Sequence, residues 1–181
     1  MAASEFDAGP VAVRRIEPLA VIALRHLPGA GESLAAALRA AGVTGVPSPG
    51  QALGNGQSQD TTALWRSPSE VVLLATERAA ADAAMAALAA DALACAVDQS
   101  DGTLGLELQG PRVDELLQRL VDSHSLPMTL GSAIRARLAD IAVTLVRQGP
   151  DRIWLLADRS HEQYLASWLA YAGAALAQAR A

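Results

Sequence analysis

The run from Thr103 to Val121 constrains this chain more than any other. Leu104, Leu106 and Leu108 alternate with Gly105, Glu107 and Gln109. Alternation at period two is what a strand with one buried face requires. Gly110-Pro111 then ends the strand and opens a helix, with Pro at the first helical position, where its missing N–H costs nothing. Val113, Leu116, Leu117, Leu120 and Val121 follow at i, i+3, i+4, i+7 and i+8, a single apolar stripe. The segment therefore predicts a strand–turn–helix unit.

The same patterns predict the rest of the chain. Leu19–Leu24 reads as a strand, closed by the turn Pro28-Gly29-Ala30-Gly31. A short helix with Leu34, Leu38 and Ala41 on one face ends at Gly42, and Val43–Val46 is a possible strand. Residues 47–60 are rich in Pro, Gly, Ser, Gln and Asn, with only Ala52 and Leu53 apolar, and read as a mobile surface loop. Thr62–Trp65 and Glu70–Ala75 are strands, Thr76 caps a helix from Glu77 to about Leu93, and Ala94–Gln99 is a further strand. The order β-α-β-β-α-β is that of a ferredoxin-like split-βαβ unit.

A second module then runs strand, helix, strands at Ala133–Leu138, Ile141–Arg147 and Arg152–Ala157, and a last helix from Ser160. The expectation is an α+β protein. It has a loose tail over residues 1–10, a first module over 11–100 and a second over 101–181, with strand exchange between modules left open.

Composition excludes several chemistries. All 14 basic residues are arginine. Without lysine there is no P-loop ammonium for a nucleotide phosphate and no Schiff-base partner for pyridoxal phosphate. A net charge of −5 argues against a nucleic-acid partner. Cys95 is the single cysteine, which fits a reducing compartment. The acidic start, Met-Ala-Ala-Ser-Glu-Phe-Asp, does not read as a signal peptide. A soluble, cytoplasmic protein is expected.

Few residues offer reactive chemistry. Asp98 and Asp101 could share a cation or a proton, but a turn in which Asp98 accepts backbone N–H bonds is favoured. Ser100 lacks a nucleophile elbow. His26, His124 and His161 have no helical i, i+4 pairing, so a metal site is not expected. Gly29-x-Gly31 and Gly54-x-Gly56 carry Leu34 and Gln59 where a dinucleotide loop needs glycine. Trp65, Trp154 and Trp168 read as core or interface anchors, and a stacked cofactor ring is the sharper, less favoured idea. Arg135 and Arg137 share a strand face and could hold a carboxylate.

Four segments together resemble the gamma subunit of heterotetrameric sarcosine oxidase, within the aminomethyltransferase-like, folate-binding-domain superfamily. They are the strand pair around Trp65-Arg66-Ser67-Pro68-Ser69-Glu70, the Asp98-Gln99-Ser100-Asp101-Gly102 turn leading to Gly110-Pro111-Arg112, the hairpin Arg137-Leu138-Ala139-Asp140-Ile141, and Asp158-Arg159-Ser160 with Tyr164, Trp168 and Leu169.

The resemblance implies two aminomethyltransferase-like modules and a non-catalytic subunit without a cofactor of its own. It also implies alpha, beta and delta partner subunits, chiefly the large alpha subunit. Those partners would carry FAD, FMN, NAD, tetrahydrofolate and zinc, and would oxidatively demethylate sarcosine. Trp65, Asp98, Ser100, Arg135, Arg137 and Asp140 are the candidate ligand or partner contacts. The alternatives are a stand-alone folate or small-ligand module, with Arg135, Arg137 and Asp98 around a cleft holding Trp65, and a subunit of a paralogous complex acting on another N-methyl amino acid. A hydrolase built on Ser100 ranks below both.

Overall fold

The computed structural model describes residues 6–54 and 60–178. The outer half of the expected tail, the centre of the expected mobile loop and the last three residues of the Ala-rich C-terminal stretch lie outside them. The chain divides into two compact units, one formed by Pro18–Asp101 and the other by Gly102–Ala181 together with Met1–Glu17.

In the Pro18–Asp101 unit, strands β3 (Ala20–His26), β4 (Ala52–Gly54), β5 (Thr61–Ser67), β6 (Glu70–Ala75) and β7 (Ala94–Asp98) form one sheet in the order β4-β5-β6-β3-β7. Every neighbouring pair is antiparallel. Strands β3 and β5 therefore run parallel with β6 between them, which is the split-βαβ crossover. Helices α1 (Gly31–Ala40) and α2 (Arg78–Leu88) supply the crossovers. Ile22, Leu24, Leu73, Leu34, Leu38 and Leu88 share one apolar core.

Sequence and structure part company at four places here, the first being that α2 ends at Leu88 and not near Leu93. Val43–Val46 is not a strand. The Gly42 N–H donates to Arg39 O and the Val43 N–H to Leu38 O, both at 2.9 Å, and Gly42 has φ +83. This is a Schellman stop, and buried Val43 makes the apolar contact that accompanies one. Ala52 and Leu53, taken as loop, form β4 instead, because β5 offers them an open edge opposite Leu64 and Ala63. Thr76 does not cap α2: its hydroxyl donates to Asp60 O, and Glu77 stands at the helix entrance without a side-chain cap.

The other unit repeats the plan. Strands β8 (Thr103–Gln109), β9 (Ala133–Leu138), β10 (Ile141–Gly149) and β11 (Arg152–Asp158) join β1 (Phe6–Ala8) and β2 (Val11–Arg15) in the order β1-β2-β8-β11-β10-β9. Helices α3 (Val113–Gln118) and α4 (Glu162–Gln178) cover the core face of Leu104, Leu106, Leu108, Leu145, Ile153 and Leu155. Position for position, β9-β10-β11-β8-β2 corresponds to β4-β5-β6-β3-β7. The strand that should follow α4 comes from the N-terminal segment.

Residues 11–17 thus belong with the second module and not the first, and the expected tail is a strand and turn from Phe6 onward. The physical reason is an open edge. Strand β8 pairs with β11 along one edge, and at its other edge Val13 lies opposite Leu108, so that Val11 and Val13 join the apolar core. The turn is seated by direct backbone contact. A Cβ on Gly110 (φ +155) would lie 2.6 Å from Pro10 O, and one on Gly173 would overlap the Ala8 carbonyl. The stripe read as helix through Val121 is regular only to Gln118, after which Leu120 O accepts the Ala139 N–H while Val121 stays buried.

Candidate docking surface

Asp98 and Ser100 sit together at the end of β7, and their chemistry is consumed locally. Asp98 Oδ1 accepts the Ser100 N–H at 3.0 Å and the Ser100 hydroxyl at 2.5 Å, while Oδ2 accepts Arg78 Nη1 at 2.6 Å. Ser100 Oγ in turn accepts the Val21 N–H at 2.9 Å. The Ser100 hydroxyl and amide, aided by the Arg78 guanidinium, hold the Asp98 carboxyl below its usual range against partial burial. Donating to the Asp98 carboxylate while accepting the Val21 N–H, the Ser100 hydroxyl latches β7 to β3. Asp101 lies in the following 3₁₀ turn, Ser100–Gly102.

The same device recurs at the end of β11. Asp158 Oδ1 accepts the Ser160 N–H at 2.8 Å and its hydroxyl at 2.6 Å, and the two bonds lower the Asp158 pKa. These two Asp-x-Ser turns end a strand and reverse the chain.

Arg135 and Arg137 point to the same side of edge strand β9 and are exposed. Arg137 Nη2 donates to Asp140 O at 3.1 Å and approaches Asp140 Oδ1 at 3.4 Å. Asp140 and Ala139 form the two-residue β9–β10 turn with φ of +72 and +45, the pattern of a type I′ hairpin. Ala139 is an unfavourable residue for that conformation. It is held by its N–H to Leu120 O and by the Tyr164 hydroxyl, which donates to Ala139 O at 2.9 Å.

Trp65 lies half-buried on β5, with its backbone N–H donating to Gln51 O. Trp65 and Asp98 belong to one unit and Arg135, Arg137 and Asp140 to the other. Trp154 is the core tryptophan: its indole N–H donates to Glu107 Oε2 at 3.1 Å, and Arg152 Nε shares that oxygen at 2.5 Å. Among the described residues, no three His, Cys, Asp or Glu side chains gather as a metal-binding group, and no helix is long and apolar enough to cross a membrane.

What stands out is helix α4. Its inner face buries Leu165, Leu169, Ala172 and Leu176. Its outer face carries Tyr164, Trp168 (38% exposed) and Tyr171 (70% exposed). The rings stack edge to face, with centroids 6.3 Å apart for Tyr164–Trp168 and 5.9 Å for Trp168–Tyr171. From Gln163 to Gln178 the helix contains no charged side chain. A solvated helix ordinarily sets charge against water. A contiguous aromatic stripe framed only by Ala, Ser and Gln is the composition of an interface core. The sequence shows the i, i+4, i+7 spacing of these rings, but not which way they face.

Two split-βαβ modules, one of them with an uncharged aromatic helix face turned outward, define a protein of the aminomethyltransferase-like fold. The chain belongs to the sarcosine oxidase gamma subunit family, whose model matches residues 29–175. It is 32% identical over 166 residues to the sarcosine oxidase subunit gamma of Corynebacterium sp. (strain P-1), covering 90% of this chain and 79% of that one. A chain of the heterotetrameric sarcosine oxidase from Corynebacterium sp. U-96, solved with pyrrole 2-carboxylate, superposes with a TM-score of 0.81 at 27% identity, over 92% of this chain and 85% of that chain. The glycine cleavage system aminomethyltransferase T from Bartonella henselae shares the fold, with a TM-score of 0.64 at 18% identity, over 89% of this chain and 45% of that one.

Proposed function

We propose that this chain is the non-catalytic gamma subunit of a heterotetrameric sarcosine oxidase-type assembly in the cytoplasm, and that it works by docking to the large alpha subunit. The observation that carries the reading is the outward Tyr164–Trp168–Tyr171 face on a helix without charge. The family membership supports the kind of assembly. In this reading the oxidation of sarcosine to glycine, with hydrogen peroxide and a one-carbon unit as further products, takes place on the partners. FAD, FMN, NAD, tetrahydrofolate and zinc are likewise theirs. This chain supplies apolar area and a fixed shape.

Expression of the full chain alone and with the alpha subunit tests this. Alone it should self-associate through its aromatic face. Co-expressed, it should elute as a stable complex with the alpha subunit, and W168A should weaken that complex at least ~10-fold, as truncation of an interface tryptophan does. A monodisperse lone chain that ignores the alpha subunit would overturn the reading. So would saturable quenching of its tryptophan fluorescence by tetrahydrofolate at micromolar concentration, which would favour a folate-binding module.

A further inference from the structure

Helix α4 is well founded in its first half and poorly in its second. Leu165 and Leu169 are fully buried, and the Tyr164 hydroxyl ties the first turns to Ala139 O. Beyond Tyr171 the helix has little of its own. Gly173 stands inside it, where glycine is about fivefold less favourable than alanine. The last turn carries no basic side chain, so its unpaired carbonyls and the negative end of the helix dipole lack a local cation. A stretch this short does not hold a helix in water without tertiary packing.

That packing comes from elsewhere in the module. A Cβ on Gly9 would lie 2.5 Å from Gly173 O, and one on Gly173 would overlap the Ala8 carbonyl, so the two backbones touch with no side chain between them. Ala8 is fully buried in the same apolar core as Ala172 and Leu176. Arg112 supplies the missing cation. Its Nε and Nη2 donate to the Glu115 carboxylate at 3.0 and 2.6 Å, and its Nη1 donates to Leu176 O at 3.1 Å.

Strand β1 is also surplus to the sheet. It pairs with β2 at the outer edge through three residue pairs. The other module has the same five-strand order and, among the described residues, no counterpart of β1. Five strands therefore suffice for this plan, and what β1 and its turn add is contact with α4. We propose that Phe6–Gly9 is a brace for the second half of α4. Seated, it keeps the helix ordered to Gln178 and holds Tyr171 in its edge-to-face row with Trp168. Lifted, it frees residues 171–178 while the sheet beneath stays folded. Its consequence for docking rests on the reading above: the brace sets how much of the aromatic face is presented.

Amide hydrogen exchange on the full chain, on a chain lacking residues 1–9 and on G9A tests the brace, with binding to immobilised alpha subunit alongside. In both variants exchange over residues 172–178 should quicken at least ~10-fold, while β8 and β11 keep their protection. Both should bind the alpha subunit about 10-fold more weakly, the scale of one misplaced aromatic anchor. Should the deletion not fold, G9A decides, since it alters one contact and leaves β1 in the chain.

Unchanged exchange over residues 172–178 in both variants would overturn the brace. So would an equal loss of protection in β8 and β11, which would make β1 a support of the whole module. Quicker exchange with wild-type binding would overturn its control of docking. Failure of the wild-type chain to bind the alpha subunit, with quicker exchange in the variants, would sink the docking reading and leave the brace standing.

Discussion

The two modules share one strand order, but they close their sheets differently. In the Pro18–Asp101 unit the closing strand β7 follows α2 after a short connection. It is lightly buried: Cys95 is exposed and Val97 is 37% exposed. In the other unit the equivalent strand β2 comes from far away in sequence, and Val11 and Val13 are fully buried. It is further covered by β1 and seated against Gly110 and Gly173. A strand delivered locally needs little apolar anchoring. One that closes a long loop meets a larger entropy cost, about 0.6 kcal/mol for each doubling of loop length, and here it has deeper burial to offset it.

The sharpest way to break this contrast is at the backbone seat. Gly173→Val places a side chain where the Ala8 carbonyl lies, and should destabilise the N-terminal hairpin's module by ~3 kcal/mol or more in urea unfolding. Gly31→Ala, at a helix position with open space around it, should be neutral or stabilise by up to about 1 kcal/mol. Equal effects would mean that the hairpin is not seated as described.

The closing strands themselves come next. Val13→Ala should cost about 2 kcal/mol through lost burial and a residual cavity, while Val97→Ala should cost less than about 0.5 kcal/mol, as exposed positions do. A cost at Val97 matching that at Val13 would remove the distinction between local and distant strands.

The smallest effect is in acid. Asp98, held below its usual value of 3.8 chiefly by the Ser100 hydroxyl and amide and then by Arg78, binds protons less readily folded than unfolded. Its contribution to stability is therefore complete above the unfolded pKa and fades as pH falls through the lower, folded value. Asp98→Asn should flatten the acid limb of unfolding below about pH 4, with the largest change in the module closed by β7. An unchanged acid limb would show that the latch contributes no pH-dependent stability.

Legibility followed locality. Leu104, Leu106 and Leu108 declare their strand, and the Glu70–Ala75 run matches its strand bound for bound, because the signal and the structure occupy the same residues. The Asp98-x-Ser100 turn was legible for the same reason. Val43 misled because one apolar residue after a glycine stop serves a helix as readily as it begins a strand. The origin of β2 was out of reach, since only the vacant edge of β8 reveals that Val11 and Val13 belong there. The setting of buried Arg147 was equally hidden: nothing in the sequence separates that arginine from its exposed fellows, and the acceptors of its guanidinium at Pro127, Pro150 and Asp114 meet only after folding.

The borrowed strand also imposes an order on biosynthesis. Residues 6–15 leave the ribosome before the strands they will join, and β11 follows only after translation of more than a hundred further residues, on the order of ten seconds or longer at ordinary elongation rates. The intervening unit can mature during that wait. The leading hairpin cannot: it has no strand to pair with until β8 is made, and Ala8 has no seat until Gly173 in the last helix arrives, so a nascent chain arrested before β8 would expose a sticky, unpaired ribbon to chaperones and proteases alike.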